Sequence, residues 1–379
     1  MGRNAESSQG RHSLASSAGA ILSAATIGGY NDGNTVIRAR RNRIRTYNLG
    51  IVGLGNVGSA LVALLLRKRQ ELADRYGIGW HITAVASRRL GWLVNHEGFT
   101  PEKLLAGDYS EGCRVGHFAS WMHAAKPDVV FEASSLNAET GEPAITHIRT
   151  ALTIGAHAIS ANKGPVVHAY RELSALAASR GLRFYFESAM MDGAPVFSLF
   201  RSALPAIEIR GFRGVINSTT TVILEAMQAG KSFDEAVGEA QRLGVAETDP
   251  SADVDGIDAA VKVVEVANVL MGASLSLADV RREGIRGITR SQLQEAQENG
   301  EAWRLVSRAR RQPDGSIAAS VGPERLKLDD PLAQVHGTSL LIAFETDIFN
   351  ELMISERDPG PEATAYGMLS DFVNAVRST

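Results

Sequence analysis

Cysteine is almost absent: Cys113 is the only one in 379 residues. One thiol makes neither an internal disulfide nor a cysteine-based zinc site, so the composition points to a reducing compartment. The nine histidines contain no HExxH and no paired ligand spacing, which argues against a catalytic zinc. No run of about 18 apolar residues occurs, so no membrane-spanning helix is expected. There is no excess of positive charge either. Lys and Arg number 39 against 42 Asp and Glu, a formal net charge of −3, whereas a dedicated nucleic-acid binder is usually basic. No repeat recurs at solenoid periods. What remains, 44% hydrophobic and 21% charged residues, is an ordinary globular balance. The length suggests two domains.

Residues 1–45 read differently from the rest. They hold seven Arg and only two acids, Glu6 and Asp32, with Ser, Ala and Gly dominant. Such a segment buries too little apolar surface to offset its ordering entropy, so a disordered extension is expected. An organelle-targeting presequence shares the Arg- and Ser-rich, acid-poor composition and stays open as the alternative. Ala15 to Gly29 is mildly apolar but lacks an A-x-A-like site after it, so secretion is not expected. Glu6 stands where a myristoylation signal needs Ser or Thr.

The folded part opens with Tyr47–Val52 (YNLGIV), an apolar strand running into Gly53-Leu54-Gly55-Asn56-Val57-Gly58 and then an apolar helix. Strand, glycine turn and helix in that order make a dinucleotide site. The first glycine permits the tight turn, the second lets the backbone approach a pyrophosphate, and the third allows close helix–strand packing. The first amides of the helix, from Asn56 and Val57, then face the phosphates. The next strand, Trp80–Ala86, ends in Ser87-Arg88-Arg89. NAD sites usually carry an acid there for the ribose 2′-OH. A serine and two arginines suit a 2′-phosphate, so NADP is favoured, with NAD as the alternative. Pro127 to Ser135 reads as a buried strand with a polar loop, and ligands sit at such carboxyl ends. A helix at His147–Gly155, a strand at Ala156–Ser160, a helix at Glu172–Arg180 and a strand at Leu182–Glu187 continue the alternation. The predicted fold class is α/β, a Rossmann-type doubly wound parallel sheet with a right-handed crossover at each step, followed by an α+β domain.

The second half is most informative from Ala240 to Lys262. A helix ends at Gly244, an acid-rich loop follows, and a new helix starts near Gly256. Asp258 and Lys262 are four residues apart and project from one face of that helix. On its own such a pair is an exposed contact worth a few tenths of a kcal/mol. Five acids crowd the stretch: Glu247, Asp249, Asp253, Asp255 and Asp258. That crowding is costly unless a cation is bound or several of them point to water. A substrate ammonium together with Lys262 would supply the compensating charge.

This segment resembles the signature of homoserine dehydrogenases, an acid-rich loop followed by Gly-x-Asp-x-x-x-Lys. The glycine turn, the Glu132–Asn137 loop, Asn162-Lys163, Glu187–Pro195 and the tail Gly360–Asp371 occur in the family's order. The resemblance covers the chain from about Tyr47 onward and implies NAD(P)H-dependent reduction of L-aspartate 4-semialdehyde to L-homoserine, in threonine, methionine and isoleucine biosynthesis. It makes Lys262 the proton donor, with Lys163 lying between cofactor and substrate. Glu247, Asp258 and Asp253 become substrate-holding acids, Ser134 a cofactor-contacting hydroxyl, and Gly360 a backbone contact to the cofactor. A monovalent cation, Na+ or K+, is implied at Glu187, Met190, Asp192 and Ala194, where Met190-Met191-Asp192 is bulkier than the family pattern.

The chemistry agrees with those roles. Hydride arriving at a carbonyl carbon leaves an oxygen that needs a proton. A lysine with a lowered pKa can give one near neutral pH. Enzymes that oxidise the same aldehyde to an acyl phosphate use a cysteine nucleophile, and Cys113 lies in a polar turn outside any motif. The expected layout is a nucleotide-binding domain from residues 46–190 and 350–379 around a substrate and dimerisation domain at 191–349, with no regulatory ACT domain. A cytoplasmic homodimer that pairs through residues 194–208 and 331–345 follows from the resemblance, with no nucleic-acid or membrane partner. Two rivals stay open: another amino-acid dehydrogenase on the same scaffold, such as one acting on aspartate, and a non-catalytic NADP-binding redox sensor.

Overall fold

The computed structural model describes residues 44–377. The expectations for residues 1–43 lie outside the described residues. Arg45 belongs to the folded part rather than to the extension, because it begins the first strand and its amide donates to the Gly77 carbonyl at 2.9 Å.

The first sheet has seven strands: β1 (Arg45–Val52), β2 (Ile78–Ser87), β3 (Gly91–Val94), β4 (Cys113–Val115), β5 (Val129–Glu132), β6 (His157–Ser160) and β7 (Phe184–Tyr185). Their order is β4-β3-β2-β1-β5-β6-β7. The five strands β2, β1, β5, β6 and β7 run parallel. Leu49, Ile51, Ile82, Val129 and Phe131 are fully buried, as expected of parallel strands covered by helices on both faces. Since β1 lies between β2 and β5, the sheet reverses its winding there. The loops leaving the carboxyl ends of β1 and β5 therefore open a crevice.

The expected crossover fails at two successive steps. After β2 the chain turns back on itself, β3 and β4 pair antiparallel at that edge, and Cys113 starts β4 as an exposed thiol. The cause is the turn at residues 88–90, where Ser87 Oγ accepts from the Leu90 amide at 3.2 Å and Ser87 pairs with Gly91. The strand expected over Leu182–Glu187 is also shorter, because Glu187 already belongs to a single 3₁₀ turn.

The second sheet has six strands: β8 (Ile209–Val215), β9 (Val280–Arg282), β10 (Glu301–Arg311), β11 (Ile317–Lys327), β12 (Leu340–Thr346) and β13 (Leu352–Glu356), in the order β13-β12-β8-β10-β11-β9. β10 and β11 form a long antiparallel hairpin. Leu340, Ile342 and Phe344 alternate on β12 with Leu341 and Ala343, so the two faces of the sheet feed different apolar clusters. The larger cluster also takes Val263, Val264 and Ala267 from the helix Ile257–Leu270 and Val166 and Leu173 from the helix Gly164–Ser179. The seam between the sheets is thus a shared core. Two helices meet across it, one from each half.

The last helix, Pro361–Arg377, returns to the first sheet. Phe372 sits edge-on to Tyr47 and to Phe131, each with ring centres 5.9 Å apart. Among the described residues no helix is long and apolar enough to cross a membrane.

Candidate functional site

The glycine turn occupies the crevice as its spacing predicts, and each glycine is needed for a different reason. Gly53 has φ +97°, and a Cβ on it would lie 2.3 Å from the Ala133 carbonyl oxygen of the loop after β5. A Cβ on Gly58 would lie 2.0 Å from the Gly53 carbonyl oxygen, so the helix Asn56–Arg67 could not pack so close to β1. Nothing lies within 4 Å of the Cβ position of Gly55. The space left open at the second glycine is what a pyrophosphate needs. No side chain caps the helix and no acid stands in its first turn, so the amides of Asn56 and Val57 are available to an anion.

Ser134 follows β5. Its amide, at 2.9 Å, and its hydroxyl both donate to Glu132 Oε1, while His147 Nδ1 lies 2.6 Å from Glu132 Oε2. Asn162, after β6, donates to the carbonyls of Ser134 at 3.1 Å and Ser135 at 3.2 Å and accepts from the Gly164 amide at 2.9 Å. Asn162 therefore ties the two strand-end loops together and holds Lys163 at the start of its helix. Arg88 and Arg89 are exposed beyond β2, and neither meets an acid among the described residues.

Lys163, Asp258 and Lys262 come together across the seam. Asp258 Oδ1 is 3.3 Å from Lys163 Nζ and Oδ2 is 3.0 Å from Lys262 Nζ. Lys262 Nζ also donates to the Ile216 carbonyl at 2.7 Å. Two of its three N–H groups are thereby used and one is left. Asn217 supplies the remaining contacts. Its Nδ2 donates to Asp253 Oδ1 at 2.7 Å and to Asp258 Oδ2 at 3.2 Å, while its Oδ1 caps the helix Ser218–Gln228 through the Thr220 amide at 3.0 Å.

The charges are strongly coupled. Burial by itself would raise the Asp258 carboxyl, but Lys163 and then Lys262 more than offset this and hold it well below the usual carboxylate range. Asp258 in turn holds the Lys163 ammonium above its ordinary range, against the effect of burial. The Asp258 carboxylate between the two lysines thus outweighs the burial that would otherwise lower Lys163. Burial, and next the Asp258 charge, push Asp253 up.

The acid crowding resolves mostly at the surface. Asp249 Oδ1 accepts from the Ser251 amide at 3.0 Å, Asp255 pairs with Arg286 at 2.5 Å, and Glu247 is exposed. Only Asp253 and Asp258 turn inward. Asp258 has both oxygens engaged, and Asp253 is held by Asn217 and Thr219. Gly360 is exposed at the head of the last helix with nothing within 4 Å of its Cβ position.

Of the four residues assigned to a cation, Glu187 does not offer its carboxylate. Oε1 accepts from the Phe197 amide and Oε2 from the Ser198 amide, each at 2.7 Å. Asp192 accepts from the Thr364 hydroxyl at 3.3 Å. Sequence reasoning gave Asn162 no role of its own and missed Asn217 and Glu265. The signals for them were an Asn before Ser-Thr-Thr, which is a helix-cap pattern, and an acid inside the apolar run Val263-Val264-Glu265-Val266.

The chain is similar to known proteins of one family. A family model described as homoserine dehydrogenase matches residues 195–373, and one described as the homoserine dehydrogenase NAD-binding domain matches residues 53–187. An NAD(+)-dependent homoserine dehydrogenase of Pseudomonas canavaninivorans is 35% identical over 340 residues, which cover 88% of this chain and 97% of the relative. The homoserine dehydrogenase of Methanocaldococcus jannaschii is 33% identical, covering 87% and 98%. Among solved structures, a homoserine dehydrogenase from Thiobacillus denitrificans superposes with a TM-score of 0.77 at 28% identity, covering 88% of this chain and 74% of that one. A hyperthermophilic archaeal homoserine dehydrogenase in complex with NADPH gives 0.75 at 27% identity, covering 88% and 99%.

Proposed function

The chain belongs to the homoserine dehydrogenase family, a family of nicotinamide-dependent oxidoreductases, and from that premise we propose how its own residues carry the reaction. The substrate pair is L-aspartate 4-semialdehyde and L-homoserine, a step of amino-acid biosynthesis. The observation that carries the reading is Asp258 held between Lys163 and Lys262 at the seam, beside a glycine cradle left open at Gly55. A bound nicotinamide supplies or takes the hydride. Gly53, Gly55, Asn56, Val57 and Gly58 hold the dinucleotide phosphates, with Ser134 and Gly360 as further contacts. Lys262 directs its remaining N–H at the carbonyl oxygen, polarises it, and gives it a proton as the alkoxide forms. Lys163 adds a second positive charge beside that oxygen. Asp253 and Glu247 take the substrate ammonium, and Asp258 orients the lysines rather than binding substrate directly.

NADP is the favoured coenzyme, because Ser87 offers no acid to a ribose 2′-OH while Arg88 and Arg89 stand unpaired beside it. A Na+ or K+ at the seam would be held by Glu187, Met190, Asp192 and Ala194, partly through backbone carbonyls. Two copies pair through residues 194–208 and 331–345.

The test is a spectrophotometric assay of L-homoserine oxidation with NAD and NADP in parallel. Turnover with NADP above NAD supports the reading. Turnover of L-aspartate in place of L-homoserine would move the chain to the rival amino-acid dehydrogenase, and tight NADP binding with no turnover would make it the redox sensor.

A further inference from the structure

Every charged group in the cluster has a partner except one. Glu265 lies on the same helix as Asp258 and Lys262, seven and three residues further on, so the three share a stripe of Ile257–Leu270. Exposure falls along that stripe, from 19% for the Asp258 side chain to 12% for Lys262 and 0% for Glu265. Both carboxyl oxygens of Glu265 are buried and neither has a hydrogen-bond partner among the described residues. Its helix neighbours Val263, Val264 and Val266 are fully buried as well.

Packing does not account for an acid there. An apolar side chain of similar size would fill the space without leaving two unpaired oxygens in the core. The carboxyl must therefore matter for its charge or its proton. The charged groups that act on it are Lys163 on the helix across the seam, and Asp258 and Lys262 on its own helix. Lys163 feels Glu265 in return, together with Asp258 and Asp192. Burial drives the Glu265 carboxyl well above the ordinary range; Asp258 adds to this, and the two lysines oppose it.

On the reading of the site given above, we propose that Glu265 is a positioning residue for the proton step, a walled-in carboxyl behind Lys163 and Lys262 that sets how tightly the lysine pair holds its protons. With Glu265 neutral, Lys163, Asp258 and Lys262 sum to one positive charge, which favours an alkoxide forming beside them. With Glu265 ionised that charge is cancelled and the lysines keep their protons. In the step itself one lysine N–H bond breaks and the substrate O–H bond forms. Glu265 neither gives nor takes that proton; it acts through the field.

The test is Glu265→Gln, which keeps the shape and removes the ionisation. kcat and KM are measured against pH, from neutral to alkaline, for homoserine oxidation and semialdehyde reduction, with thermal midpoints in the same buffers. Oxidation rises as the lysine base loses its proton, and reduction falls. Above the pH at which Glu265 ionises, loss of the carboxylate should move both limbs to lower pH by about half a unit or more, with KM for homoserine within about twofold. A merely structural role would shift the thermal midpoint and leave both limbs in place. Unmoved limbs overturn the proposal whatever the midpoint does. Glu265→Leu, which fills the same space with no polar atom, must show the same displacement, and wild-type limbs in that variant overturn it too. The wild-type protein reports separately on the underlying reading. No homoserine turnover in the wild type sinks the function, whereas turnover with unmoved limbs sinks only the role of Glu265.

Discussion

The glycine cradle and the lysine–carboxylate cluster are built in opposite ways. The cradle is contiguous, Gly53 to Gly58, and works by what is missing. Two absent Cβ atoms let backbone close on backbone, and a third leaves room for a ligand. The cluster is assembled from Lys163, Asn217, Asp253, Asp258, Lys262 and Glu265, which come from four helices or the residues that cap them, and it works by what is present. The first is a steric device and tolerates no added atom. The second is an electrostatic device in which each charge is set by its neighbours, so its failures should appear in rates and pH profiles before they appear in stability.

Lys262→Ala tests that division most severely. The variant removes the N–H left for the substrate oxygen and breaks the contacts to Asp258 and Ile216. Turnover should fall by about 10²–10⁴, the usual worth of a positioned proton donor. NADPH affinity, measured by fluorescence titration, should change little, because no part of the cradle is touched. Near-normal turnover would remove the proton role, and a collapse of cofactor affinity would show that the two regions are not independent.

Gly58→Ala and Gly55→Ala divide the cradle itself. At Gly58 the added methyl meets the Gly53 carbonyl oxygen at 2.0 Å, so β1 and its helix must move apart. That overpacking should cost about 1–3 kcal/mol and lower the melting temperature. At Gly55 the methyl enters open space, so the melting temperature should hold while dinucleotide affinity falls. Equal destabilisation by both would mean that the second glycine serves packing, not ligand approach.

The contrast also explains what was legible in the sequence. A steric device in six consecutive residues is visible in one dimension, and so is the Asp258–Lys262 pair four residues apart on a helix. Lys163 was reached through a family resemblance, because nothing in its local sequence says that it meets Asp258. Asn217 could be read as a helix cap but not as the bridge between two acids, which depends on the acid loop folding over β8. The crowding of acids overstated the site, since Asp249 and Asp255 are satisfied locally. The layout of the sheet was readable except where a three-residue turn capped by Ser87 replaced a crossover, and that turn leaves Arg88 and Arg89 exposed at the carboxyl end of β2.

That turn carries the smallest and most selective effect. Arg88→Asp combined with Arg89→Asp reverses charge at two exposed positions that pair with no acid among the described residues, so stability should be unaffected. A 2′-phosphate would lose two guanidinium partners and meet two carboxylates, while a 2′-OH could gain an acceptor. NADP should weaken by about tenfold or more, which corresponds to roughly 1.4 kcal/mol, and NAD should hold or improve. Titrating both coenzymes against the wild type and the double variant decides it. Because the Pseudomonas canavaninivorans relative is named as NAD(+)-dependent and the archaeal structure holds NADPH, family membership does not by itself choose between the two coenzymes. Equal losses for the two coenzymes would mean that these arginines act on the shared phosphates, and the reading of the second strand end would fail while the cradle stands.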